Sequence, residues 1–142
     1  MKQIHATTVH LTGLGVMLCG PSASGKSDLG LRLIETGALL VADDRTNLTL
    51  SSNALSASAP KEIFGKLEVR GIGIITLEAI AETRLALVID LMNGDDIERL
   101  PKLETTAILG VTVPLIRLCA FEASAPAKVQ AALMHHSQLA TQ

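Results

Sequence analysis

A chain of 142 residues has the usual length of one domain, and folding at this size buries roughly 68–70% of the surface that the unfolded chain exposes. With 48% apolar and 18% charged residues, it is too hydrophobic to stay disordered and too interrupted by charge to form a membrane bundle. Twelve Lys+Arg against fourteen Asp+Glu leave a net charge of −2, so no global positive field attracts nucleic acid or an anionic membrane.

Residues 4–11 alternate loosely between apolar and polar, Thr12-Gly13-Leu14-Gly15 supplies a tight turn, and Val16-Met17-Leu18-Cys19 follows, which predicts a β-hairpin. The second strand runs into Gly20-Pro21-Ser22-Ala23-Ser24-Gly25-Lys26-Ser27. After it, Leu29 with Leu33 and Gly30 with Ile34 recur at i,i+4 spacing on one helical face, and Gly37 closes the helix. Ala38-Leu39-Leu40-Val41-Ala42 is a continuous apolar run, expected as a central strand covered on both faces and ending at Asp43-Asp44. Strand, loop, helix and strand make a βαβ-type unit.

Further along, Leu48-Thr49-Leu50 and Ala54-Leu55-Ser56-Ala57 flank Ser52-Asn53 as another hairpin, which Pro60 ends. Leu67-Glu68-Val69-Arg70 leads into Gly71-Ile72-Gly73-Ile74-Ile75-Thr76, and residues 85–91 form a second buried strand. Residues 95–104 read as a surface loop, 111–114 and 116–118 as two short strands, and 125–139 as a closing helix with Ser124 as its N-cap. Cys19 and Cys119 have no CxxC partner or metal-like cluster and are expected to be packing residues. Thr-rich alternation follows the first residues where a secretory apolar region would stand, and no run approaches the ~18 apolar residues of a membrane span, so a cytoplasmic location is expected. With no Trp or Tyr and only Phe64 and Phe121, stacking on nucleobases is not expected.

The pattern G-x-x-x-x-G-K-[ST] at Gly20–Ser27, with a strand before and a helix after, carries the chemistry. Its glycines let consecutive N–H groups point inward, and with the helix N-terminus they form an anion cradle of Gly20, Pro21, Ser22, Ala23, Ser24, Gly25, Lys26 and Ser27. Lys26 reaches the β- and γ-phosphates of a nucleotide, and the Ser27 hydroxyl ligates Mg²⁺. GTPases, ATPases and small-molecule kinases share this loop, but no N-K-x-D is present, which disfavours guanine specificity. Asp43 and Asp44 belong at the carboxyl edge of the sheet near the phosphates, and as strand neighbours they point to opposite faces. One then faces the site as a base or metal partner while the other bonds to structure.

These residues carry a resemblance. Gly20–Ser27, Asp28-Leu29, Gly37, Leu40-Val41-Ala42-Asp43-Asp44-Arg45, and above all Leu67-Glu68-Val69-Arg70-Gly71-Ile72-Gly73-Ile74-Ile75 resemble the catalytic domain of HPr kinase/phosphorylase. The likeness runs from about His5 to Ile75, with a weaker echo near Arg99, and the chain is similar to the short forms of some proteobacteria that lack an amino-terminal domain. The resemblance implies an α/β, P-loop-containing, phosphoenolpyruvate carboxykinase-like domain with a mixed central sheet over residues 1–142. It implies a hexamer, and a kinase that uses ATP, or in some members pyrophosphate, with Mg²⁺ to phosphorylate a regulatory serine of the phosphocarrier protein HPr. By the same resemblance, His5, Lys26, Asp44 (or Asp43) and Arg99 are catalytic, Arg99 being the mobile-loop arginine, and Ser27 and Glu68 are metal ligands. Arg70 serves the nucleotide or a subunit contact. Phosphorolysis by inorganic phosphate is the family's reverse reaction, and its phosphorylases carry a basic Gly-Arg-Asn-type stretch after a late V-P pair. Here that stretch reads Val113-Pro114-Leu115-Ile116-Arg117-Leu118-Cys119. Two other classes remain in view: a nucleotide-binding sensor module of a phosphotransferase system, and a small-metabolite kinase.

Overall fold

Short alternating segments separated by Gly, Asn and Thr fold into hairpins because two-residue turns with positive φ match the twist of the strands they join. In the computed structural model, which describes residues 1–140 and side-chain surroundings as far as His136, Thr12 and Gly13 turn with φ +49 and +86 between β2 (Ala6–Leu11) and β3 (Leu14–Cys19). Ser52 and Asn53 do the same between β5 (Thr46–Ser51) and β6 (Ala54–Ser58), and Leu109 and Gly110 between β10 (Glu104–Ile108) and β11 (Val111–Leu118).

A mixed sheet orders the strands β1 (Lys2–Ile4), β5, β6, β9 (Glu82–Leu91), β3, β2 and β4 (Leu39–Ala42), with β10 and β11 attached along the far half of β9. The long β9 is the spine. Its first residues pair antiparallel with β6, its last four pair parallel with β11, and β3 lies parallel along its other edge. Helices α1 (Lys26–Glu35) and α2 (Ala125–Ala140) cover one face, where Val9, Val16, Leu18, Leu29, Leu33, Leu87, Ile89, Val129 and Leu133 are buried together. On the other face Ala6, Met17, Leu48, Leu55, Val88, Ile108 and Val113 form a second core. Alternation along β3 and β9 feeds both, which is why these two strands read as continuous apolar runs. A small separate hairpin of β7 (Lys66–Val69) and β8 (Gly73–Thr76) packs Leu67 inward beside α1.

Helix α1 ends as expected: the Gly37 N–H bonds to Ile34 O at 3.0 Å and the Ala38 N–H to Leu33 O at 3.1 Å, the paired bonds of a Schellman cap. The predicted α/β class with a mixed sheet is the one observed.

Four expectations need correction. First, β4 is not central: it ends the sheet order, antiparallel to β2, which lies between it and β3. It is buried nonetheless, because residues 79 and 80 cover its outer edge through a Leu40–Ala79 bridge and an Ile80 N–H bond to Leu40 O at 2.9 Å. The βαβ unit is therefore split by an intervening antiparallel strand. Second, residues 4–11 are not one strand: β1 ends at Ile4 and β2 begins at Ala6, with His5 at the break. Third, residues 111–118 are one strand, because Pro114 stands just before β11 begins to pair with β9 at Leu115, where no ladder donor to β9 is required. Fourth, the loop expected over 95–104 gives way to β10 at Glu104, and it begins in a short 3-10 turn over Gly94–Asp96.

Candidate active site

Strand β3 delivers the glycine-rich loop to the N-terminus of α1. A Cβ on Gly20 would stand 2.6 Å from Ser24 Oγ and 3.1 Å from Leu91 O, and one on Gly25 would stand 2.7 Å from the Ala120 Cβ. With φ of +153 and +95 as well, these positions admit only glycine while the loop keeps this curl. The loop closes through a Ser24 N–H bond to Pro21 O at 3.1 Å, and the helix starts with Leu29 N–H to Gly25 O at 2.9 Å. Lys26 is buried, and its Nζ donates to Gly20 O at 2.8 Å and Pro21 O at 3.0 Å.

The Ser24 Oγ is buried with no hydrogen-bond partner among the described residues. Ser22, Ala23, Gly25, Lys26 and Ser27 face the cavity at the N-terminus of α1, and a loop curled so tightly that only glycine fits at positions 20 and 25, with a lysine beside it, fits a phosphate group.

The two acids separate sharply. Asp43, 7% exposed, accepts the Ser27 hydroxyl at 2.6 Å and the Thr7 hydroxyl at 2.9 Å on Oδ1, and the Glu68 N–H at 3.1 Å on Oδ2. Asp44 turns outward with φ +68, its side chain 62% exposed and its Oδ1 2.5 Å from His5 Nε2. The Ser27 hydroxyl and the Asp43 carboxylate are hard oxygen donors of the type Mg²⁺ takes, completed by phosphate oxygens and water. Among the described residues no group of three or more His, Cys, Asp or Glu side chains forms a protein-only metal cage.

A cavity of about 790 Å³ opens over this arrangement, walled by His5, by the loop at Ser22, Ala23 and Gly25 to Ser27, and by Asp44, Glu68, Arg70 and Phe121. Its rim is the β7–β8 turn, where Ile72 and Ile74 are exposed. Arg32 fixes the Phe121 wall by donating to the Ala120 and Glu122 carbonyls while paired with Asp28 at 2.9 Å. Cys19, just before the loop, is half-buried. Its thiol is pushed up to about 11, first by burial and then by the Asp90 carboxylate, with Lys26 opposing.

The profile described as "HPr Serine kinase C-terminal domain" matches residues 1–141. The chain belongs to the HPr serine kinase C-terminal domain family. The HPr kinase/phosphorylase of Malacoplasma penetrans is 39% identical over 125 residues, covering 80% of this chain and 42% of that protein. That of Variovorax paradoxus is 39% identical over 123 residues, covering 78% of this chain and 39% of that protein. The chain therefore spans about two-fifths of the length of these relatives. The solved Hpr(Ser) kinase/phosphatase of Coxiella burnetii superposes with a TM-score of 0.88 at 27% identity, and each chain covers 100% of the other. The fold is accordingly the P-loop, phosphoenolpyruvate carboxykinase-like fold that the resemblance implied.

Of the residues singled out from the sequence, the structure gathers His5, Lys26, Ser27, Asp44 and Glu68 around one cavity, with Asp43 buried beneath Ser27. Glu68 meets Asp43 through its backbone N–H, and its side chain is exposed on the cavity wall. Arg99 is not brought there. It lies exposed in the segment between the 3-10 turn and β10, outside the cavity lining. Two residues escaped the sequence reading. Thr7 carried no sequence signal, because a threonine in a strand is ordinary. Phe121, one of only two aromatic side chains besides the histidines, could have been suspected from its rarity in an otherwise aliphatic chain.

Proposed function

We propose that this chain is an ATP-dependent kinase that transfers the γ-phosphoryl group to a serine hydroxyl of the phosphocarrier protein HPr. In this reading residues 1–142 form one catalytic domain of a homo-oligomer. One observation carries the proposal: an outward-facing carboxylate, Asp44 bonded to His5, shares a cavity with a phosphate-binding loop and its lysine.

Phosphoryl transfer requires two oxygens held in line and charge neutralised on the moving group. The amides from Ser22 to Ser27 and the ammonium of Lys26 hold the nucleotide phosphates, and Arg70 adds a positive charge to the same cavity. Ser27 and Asp43, with Glu68 at the wall, would hold Mg²⁺, which when bound would neutralise charge on the phosphate oxygens. The serine Oγ of the acceptor attacks phosphorus, the bond to the ADP oxygen breaks, and the serine proton passes to Asp44. Asp44 Oδ1 is held by His5, which leaves Oδ2 to face the hydroxyl. In the reverse direction the protonated carboxyl returns that proton to the leaving serine oxygen.

The test mixes the chain with Mg-ATP and cognate HPr and reads phosphoserine by mass spectrometry. General-base assistance is worth about 10²–10⁴ in rate, roughly 3–5 kcal/mol of barrier, so Asp44→Asn loses that much turnover while fluorescent-nucleotide affinity holds. Bound nucleotide without phosphoserine would reject the proposal in favour of a sensor module. ATP turnover without a protein acceptor would reject it in favour of a metabolite kinase.

A further inference from the structure

The first three residues after β1 grip Asp44. His5 Nε2 meets its Oδ1 at 2.5 Å, the Ala6 N–H donates to its carbonyl at 3.0 Å, and its own N–H donates to Thr7 Oγ1 at 3.3 Å. Thr7 is fully buried, and its hydroxyl proton goes to Asp43 Oδ1 at 2.9 Å, the oxygen that also accepts from Ser27. Because the Asp44 N–H can only donate, the direction of both Thr7 bonds is fixed. One hydroxyl therefore joins the carboxylate under the phosphate loop to the backbone of the acid that faces the cavity.

This linkage matters because Asp44 has φ +68, a left-handed conformation that an L-residue keeps only when its surroundings impose it. Both backbone polar atoms of Asp44 are spent on β2, one of them on Thr7. We propose that Thr7 is a positioning residue for phosphoryl transfer: its hydroxyl sets the orientation of Asp44 relative to the phosphate loop and couples it to the Ser27–Asp43 pair. This rests on the reading of Asp44 as the base, and it does not require Thr7 to touch substrate.

The experiment compares Thr7→Val, which keeps the branched shape and removes the hydroxyl, with Thr7→Ser, which keeps the hydroxyl. Removing a partner that orients a functional ligand typically costs about 10–100-fold. Thr7→Val is expected to lose that factor in kcat, with KM for ATP within about threefold of the parent and a raised Mg²⁺ requirement, since Asp43 loses a donor. Thr7→Ser restores kcat to within about threefold, a rescue that general loss of packing would not give. Should Thr7→Val fail to fold, Thr7→Cys, a weak donor of similar size, takes its place with the same expectation. Asp44→Asn is run beside them. If Asp44→Asn keeps full turnover, the reading of the base falls and this inference with it. If Asp44→Asn is inactive while Thr7→Val turns over like the parent, the base stands and the positioning role of Thr7 is overturned.

Discussion

Asp43→Ala tests whether the buried carboxylate is the tie between four elements that the geometry makes it. Three donors converge on it: the Thr7 hydroxyl from β2, the Ser27 hydroxyl from α1, and the Glu68 N–H from β7. Hydrogen bonds to a charged group contribute about 1.5–3 kcal/mol each, and a buried donor left alone loses its solvation as well. Ser27 is half-exposed and can turn to water, so the loss falls mainly on fully buried Thr7 and on the Glu68 amide. Allowing for coupling between neighbouring bonds, the expected destabilisation is about 3–5 kcal/mol, a large part of the 5–15 kcal/mol typical of a domain. At this chain length that lowers the thermal midpoint by about 10–20 °C. Asp43→Asn keeps an acceptor for the two hydroxyls but turns an amide NH₂ toward the Glu68 N–H, and about half the loss is expected. Calorimetry gives the midpoint, and hydrogen exchange at the Glu68 amide reports whether the β7–β8 hairpin is released. A midpoint within about 2 °C of the parent, with that amide still protected, would refute the reasoning.

Gly25→Ala forces a Cβ to 2.7 Å from the Ala120 Cβ at φ +95, so ATP affinity should fall about tenfold or more. Gly13→Ala, also at positive φ but with nothing within 4 Å of its Cβ, should leave affinity unchanged in the same titration. Equal affinities for the two variants would contradict the cradle. For Cys19, whose thiol is raised from 9.0 to about 11, alkylation should remain slow until the pH nears that value. The linkage runs against stability at high pH. Between about 9 and 11 the unfolded thiol has lost its proton while the folded one keeps it, so stability falls by up to about 3 kcal/mol as pH rises. Cys19→Ala should flatten that slope in urea melts, and an unchanged slope would count against it.

Short-range chemistry was legible and long-range pairing was not. The turn at Ser52-Asn53, the cap at Gly37 and the loop at Gly20–Ser27 are specified within a few neighbouring residues and the structure realises each, while the turn expected over Thr12-Gly13-Leu14-Gly15 narrows to Thr12-Gly13, with Leu14 and Gly15 already in β3. The place of β4 is different. An apolar run reports only that both faces and edges are covered. Here the cover on one edge is Ala79-Ile80, almost forty residues downstream, and no local pattern distinguishes that from a neighbouring strand. β10 was overlooked because Thr105 and Thr106 follow a polar loop and its strand character comes from pairing with β11. Within the site, residue type and spacing found the loop and both acids, and the family resemblance supplied His5 and Glu68. Thr7 acquires meaning only when β2 is laid against the end of β4, and Arg99, chosen by an echo rather than a motif, lies away from the cavity.

Strand alternation assigns Asp43 and Asp44 to opposite sides without saying which side is buried. The packing decides it. Asp43 follows the end of β4 beneath Ser27 of α1, where donors from three elements reach both of its oxygens. Asp43 is 7% exposed and is not part of the cavity wall, so an incoming hydroxyl does not reach it. One residue later the chain reverses at φ +68, aided by the Arg45 N–H bond to Asp43 O at 2.7 Å, and Asp44 enters the cavity with a single side-chain bond, to His5. A proton acceptor must be reachable and have a free lone pair, whereas a metal-side carboxylate must be fixed and close to the loop serine. The adjacent acids meet these opposite requirements because a strand end gives one of them burial and a left-handed turn gives the other exposure. That division of labour explains why Asp44 is the proposed base. It also means that inserting one alanine between Ala42 and Asp43 should abolish phosphoryl transfer even though both carboxylates remain in the chain, because the buried place beneath Ser27 then holds no carboxylate.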